Sequence, residues 1–123
     1  MENIQYITLD ILNNKSYDYI YTKQYDTGRE VIFSFTKDSS PLDISGVSAV
    51  FYLRKPNDEY ISITDSDDEM SINNDNTITL VLSDRITDQA GKLPYQITFV
   101  DGTKKISTIT GIILCDESPL QIT

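Results

Sequence analysis

A chain of 123 residues is long enough for one domain with its own core and too short for two. Its net charge of −9 works against phosphate backbones and anionic lipid, which sets nucleic acid and membranes aside as partners. One cysteine and no histidine exclude an internal disulfide, a thiolate cluster, a His-based zinc site and any Ser-His-Asp or Cys-His machinery.

The elements follow in chain order. Residues 4–12 alternate loosely around Ile7, Leu9 and Ile11 and read as a first strand. Asn13-Asn14-Lys15 is turn-like. Residues 17–21 form a β-prone aromatic stretch with Tyr17, Tyr19 and Tyr21 on one face. Residues 29–36 are a clear strand, Val31, Phe33 and Phe35 pointing one way, and Lys37 to Pro41 breaks it. Residues 47–55 set Ala49, Phe51 and Leu53 on one face and Val50 and Tyr52 on the other, a pattern that predicts a strand covered in part on both faces. Pro56-Asn57-Asp58 turns the chain, and residues 60–64 return as its hairpin partner.

After an acidic loop at 65–69, residues 70–72 read as a short strand and Asn73 to Asn76 as a turn, since Asn and Asp tolerate left-handed backbone angles. Residues 77–82 alternate cleanly, with Ile78, Leu80 and Leu82 inward. Ile32 and Val81 fall on nominally outward faces and fit packing under a loop or against a partner. The one helix candidate is 83–90, about two turns, capped by Ser83 or Asp84 and stopped by Gly91. Residues 92–100 form a strand around Tyr95, Ile97 and Phe99, with Pro94 placing its start at an edge or just after the proline. Asp101-Gly102 is the best hairpin turn in the chain, and residues 104–114 are the last strand. The sum is an all-β antiparallel β-sandwich of about seven to nine strands with one short helical turn, a small barrel being the alternative, in a single domain spanning 1–123.

The sequence carries little chemistry. Cys115 follows an apolar run and precedes Asp116 and Glu117, which suits a small buried residue and works against a thiolate. The glycines are isolated, so no phosphate-cradling loop forms. Asp65, Asp67, Asp68 and Glu69 resemble the opening of a calcium loop, but Met70 stands where that loop needs glycine and Asn76 where it needs a bidentate Glu. A solvated loop accounts for them, and no metal or other cofactor is expected. A glycosidase-like pair of carboxylates needs a ligand-sized cleft, for which a sandwich this small has little room. The chain reads as a binding or assembly domain and not as an enzyme. Tyr17, Tyr19, Tyr21 and Tyr25 crowd one region and are the candidate partner-binding residues; tyrosine serves equally in cross-strand packing and at interfaces.

Taken in order, several segments are recognisable: Tyr21 to Arg29 leading into the strand at 31–35, Pro41-Leu42-Asp43-Ile44-Ser45-Gly46, Phe51-Tyr52-Leu53-Arg54-Lys55-Pro56-Asn57-Asp58, Asp88-Gln89-Ala90-Gly91-Lys92 and Lys105-Ile106-Ser107-Thr108. This order resembles the N-terminal domain of the baseplate upper proteins of phages infecting low-GC Gram-positive bacteria, over about residues 17–119. The motifs are strand–loop punctuation and mark a fold, not a catalytic site. The resemblance implies an Ig-like sandwich in a phage or prophage tail or baseplate, docked on other tail proteins and assembled into oligomers. It implies synthesis in the host cytoplasm and residence in the virion. A small carbohydrate-binding module for cell-wall glycans is the alternative, with tyrosines in place of the absent tryptophan.

Overall fold

The structure is a computed structural model that describes residues 3–12, 19–108 and 110–119. Two sheets face each other across a common apolar core. The first runs in the order β1 (Ile4–Asp10), β3 (Glu30–Lys37), β8 (Thr77–Val81), β7 (Met70–Ile72), with the two-residue β4 (Ser40–Pro41) folded back on β3. The second runs β2 (Ile20–Lys23), β11 (Gly111–Asp116), β9 (Gly91–Asp101), β5 (Ser48–Arg54), β6 (Tyr60–Thr64), with β10 (Lys104–Ser107) also on β9.

Period-two alternation decides which side chains meet. Phe33 and Phe35 from one sheet and Phe51, Tyr95 and Phe99 from the other converge, all buried. Tyr95 stacks on Phe51 at 5.3 Å and tilts against Phe33 at 5.7 Å, while Phe35 and Phe99 meet edge to face at 4.9 Å. Burying each such side chain contributes roughly 1.5–3 kcal/mol, and the aliphatic residues of the same core add comparable amounts each, so aromatic and aliphatic groups together hold the sheets.

The expected sandwich is present, with both sheets mixed. β1 pairs with β3 and β2 with β11 in parallel, while every other pairing is antiparallel. Hairpin signals report only on neighbours in sequence, and these two pairs are long-range. The eleven strands of the described residues exceed the expected number for two reasons. One is the short β4. The other is that the predicted last strand is broken. Thr108 turns inward there, its N–H donating to the Ile97 carbonyl at 2.8 Å and its Oγ1 accepting from the Ile97 N–H at 3.1 Å. The hydroxyl stands in for a backbone carbonyl, so β10 and β11 lie on the same edge of β9 with a break between them.

Two further expectations are corrected. The helix is the single turn α1 (Asp84–Thr87) and not two turns. Ser83 precedes it without a side-chain cap, because its hydroxyl donates to Glu69 instead. Gly91 does not stop a helix but opens β9 at φ +136°, where a Cβ would sit 3.0 Å from Pro56 Cγ. Pro94 lies inside the central strand β9 and not at its start. Its missing N–H faces β5, and the β5–β9 ladder stops one pair short, at Leu53–Tyr95.

The segments Lys55 to Asp58 and Asp88 to Lys92 form one unit in space. The Lys55 side chain is buried and donates to the Arg85 carbonyl at 2.9 Å and to the Asp88 carboxylate. It pins α1 to the end of β5, and Pro56 covers Gly91 beside it.

Candidate protein interface

The outward positions of the second sheet form a surface unlike the rest of the molecule. The register places Tyr60 opposite Arg54, Tyr52 between Ser62 and Gln96, Ile112 opposite Pro94, and Leu114 between Lys92 and Tyr21. Tyr60 is 73% exposed, Tyr21 57% and Tyr52 45%, high for aromatic rings on ordered strands. Tyr52, Arg54, Tyr60, Pro94, Gln96 and Ile112 line a shallow groove of about 520 Å³. The predicted double cover of β5 is therefore absent at Tyr52, whose ring faces solvent.

Charge sharpens the contrast. The same outward positions carry Lys23, Arg54, Lys92 and Lys105 against Asp116 alone, in a chain of net charge −9. The outward positions of the first sheet carry Asp10 and Glu30 and no cation. They are otherwise rich in hydroxyls, with Thr8 and Ser34 bonded at 2.9 Å across β1 and β3. Tyr6 and the half-buried Ile32 and Val81 also lie there.

The candidate tyrosines divide. Tyr17 lies outside the described residues. Tyr19 and Tyr21 share the outer face and meet edge to face at 6.4 Å. Tyr25 belongs to the turn after β2, half-buried at φ 71°, with its N–H held by the Thr87 carbonyl at 3.0 Å. The backbone of the Tyr19–Tyr21 edge is occupied. The Gln5 amide donates to the Tyr19 carbonyl at 2.7 Å and accepts from the Tyr21 N–H at 3.1 Å, closing that side of the sandwich. These tyrosines offer rings, not strand pairing. Tyr52 and Tyr60 were not singled out from the sequence. The signal was available in the two-sided apolar pattern of β5 and its hairpin with β6.

The thiol and the acidic groups are otherwise engaged. Cys115 is buried, and burial with the carboxylate of Asp116 pushes its thiol up to about 11. Asp67 accepts from the Thr64 N–H at 2.8 Å, shaping the acidic loop. The Glu69 carboxyl accepts from Arg85 Nε at 2.9 Å and from its Nη2, a bidentate pair that holds Glu69 below the usual carboxylate range. Among the described residues no group of three or more metal-ligating side chains converges, and no helix is long and apolar enough to cross a membrane.

The class of protein these features define is an all-β sandwich with one aromatic, cationic face. Its fold is that of a phage domain. The chain is similar to the solved N-terminal domain of phage TP901-1 ORF48, with a TM-score of 0.67 over 92% of this chain and 98% of that one, at 16% identity. At that identity the likeness establishes the fold alone. The Ig-like domain of human Leucine-rich repeat-containing protein 4, in its solution structure, aligns over 89% of this chain and 96% of that one at 14% identity, with a TM-score of 0.33, too low to support an argument. No family model and no curated protein matches the chain.

Proposed function

We propose that this chain is a single-domain structural component of a phage or prophage tail or baseplate, and that it works by docking on other virion proteins and not by catalysis. The observation that carries the reading is the outer face of the β2–β11–β9–β5–β6 sheet. Exposed tyrosines and aliphatic residues cluster on the one broad face from which the acidic charge of the chain is withdrawn. Interfaces are enriched in tyrosine and depleted of carboxylates at their centres. The order of motifs resembling baseplate upper proteins supports the virion setting, and the fold shared with a phage domain supports it independently.

The open groove favours a second reading. Tyr52 and Tyr60 beside Arg54 and Gln96 offer a stacking face and polar groups to a sugar ring, which would make the chain a module for cell-wall glycans. The deciding experiment is mass spectrometry of purified particles from the source after prophage induction. The chain is expected in intact tails at a fixed ratio to the tail-tube protein. Its absence from otherwise complete particles overturns the docking reading, and pull-down on purified cell walls then tests the glycan one.

A further inference from the structure

β6 is an edge strand, paired with β5 on one side only. The direction of its backbone groups follows from one bond. The Lys55 N–H donates to the Glu59 carbonyl at 2.8 Å, so that pair is hydrogen-bonded. In an antiparallel ladder bonded and non-bonded pairs alternate. Leu53–Ile61 and Phe51–Ile63 are then the bonded pairs, and the N–H and C=O groups of Tyr60 and Ser62 point away from the sheet. The Thr64 N–H also points away but is taken by the Asp67 carboxylate at 2.8 Å, which ends the open stretch.

This edge lacks the usual protection. Natural edge strands are blunted by lysine, proline, a bulge or a cover. β6 reads Tyr-Ile-Ser-Ile-Thr over five residues, with no charge, no proline and an unbroken register. Of the other edges, β2 is closed by Gln5, β7 is three residues long and β10 carries Lys104 and Lys105; β1 also pairs on one side only, but it lies in the opposite sheet and contributes nothing to the tyrosine groove. The open edge also borders the tyrosine groove, since Tyr60 lines both.

The flanks define what fits. Asp58 and Glu59 precede β6, and Asp65, Asp67 and Asp68 follow it, so a neutral strand is bracketed by carboxylates at both ends. A second copy pairing antiparallel about Ser62 would set Glu59 against Asp65 of its mate at both ends, and like charges directly opposite repel. We infer that β6 receives an extended strand from another virion protein, neutral and β-branched or aromatic at its centre, with Lys or Arg on both flanks. The inference rests on the docking reading above and assigns its contact. Strand addition supplies backbone hydrogen bonds, and the bracketing carboxylates select the partner.

The test replaces Ser62, whose N–H faces outward, so Ser62→Pro removes a donor from the open edge and none from the β5 ladder. Ser62→Lys is the second variant. It adds a cation that repels a basic-flanked strand and leaves the backbone intact. Each is introduced in the source, and the chain is quantified against the tail-tube protein in purified particles. Both are expected to stay folded by circular dichroism and to fall in the particles, Ser62→Pro by about two- to tenfold through the lost central backbone hydrogen bond and Ser62→Lys by a similar factor through repulsion of the basic flanks. The double variant Glu59→Gln/Asp65→Asn is expected to fall as well. Incorporation of a folded Ser62 variant at the wild-type ratio overturns the edge assignment and leaves the docking reading standing. Wild-type incorporation of the double variant overturns the basic flanks. Absence of the wild-type chain from complete particles overturns both readings together.

Discussion

Gly111→Ala tests whether the aromatic layer is packed as tightly as its geometry requires. Gly111 lies opposite Tyr95 in the β9–β11 ladder, and the Tyr95 ring folds over it. A Cβ at 111 would come under 3.0 Å from two atoms of that ring and from its hydroxyl oxygen. The ring has nowhere to go, being 1% exposed and held by Phe51 at 5.3 Å and Phe33 at 5.7 Å. Forcing a methyl into such a site costs about 1–3 kcal/mol. Replacing glycine at an ordinary strand conformation returns about 0.4–1 kcal/mol through the unfolded chain. The net expectation is a loss of about 1–2 kcal/mol, a fall in Tm on the order of 3–10 °C. Urea and thermal unfolding followed by far-UV circular dichroism measure it. In a Tyr95→Leu background the obstructing ring is gone, and Gly111→Ala should become neutral or stabilising, a coupling of about 1–3 kcal/mol. An equal cost in both backgrounds would refute the reasoning, as would a stabilised single variant.

Three further outcomes are expected. Lys55→Met keeps the buried stem and strips the Arg85 carbonyl of its donor; because Asp88 is 42% exposed its charge rehydrates, so the loss in urea midpoint should correspond to about 1.5–3 kcal/mol at unchanged m-value. Glu69 is held below its ordinary value of 4.5 by Arg85, so its contribution is present above the unfolded carboxylate range and lost as pH falls through the folded value. Wild type should therefore exceed Glu69→Gln in Tm at pH 6–7, and the two should converge at the acid end of a titration run to about pH 2. Cys115 has the opposite sign, raised from 9.0 to about 11 by burial. The contribution of its protonated form is full below pH 9 and is lost as pH rises toward 11, so wild type should lose Tm over that window relative to Cys115→Ala, with the native thiol resisting a thiol reagent at pH 8.

What was legible in the sequence is what alternation encodes. Val31, Phe33 and Phe35, Ala49, Phe51 and Leu53, and Ile78, Leu80 and Leu82 are all buried as the period predicts, because one strand face must exclude water. The parallel pairings were not legible, since nothing local distinguishes an edge that meets a parallel neighbour. Pro94 misled because the rule against proline in central strands concerns the direction of the missing N–H, and that direction depends on register. Thr108 misled because a threonine in a β-branched run reads as strand continuation, whereas here its hydroxyl replaces a ladder carbonyl. For the interface, Tyr19 and Tyr21 stood out by crowding. Tyr52 and Tyr60 join them only once β2, β11, β9, β5 and β6 are ordered side by side.

The same ordering bears on how an open edge and a tyrosine face can coexist in one acidic chain. Inward residues alone build the core, so Tyr52 and Tyr60, left half or more in water, add little to the folded state that a polar residue would not. Their presence is a liability unless self-association is opposed by other means. Two features oppose it. A net charge of −9 opposes close approach of copies at long range, and the carboxylates at both ends of β6 oppose antiparallel self-pairing centred on Ser62. On the strand-addition inference, charge that elsewhere serves solubility acts at this edge as selection, favouring a strand with complementary ends over a second copy paired about Ser62.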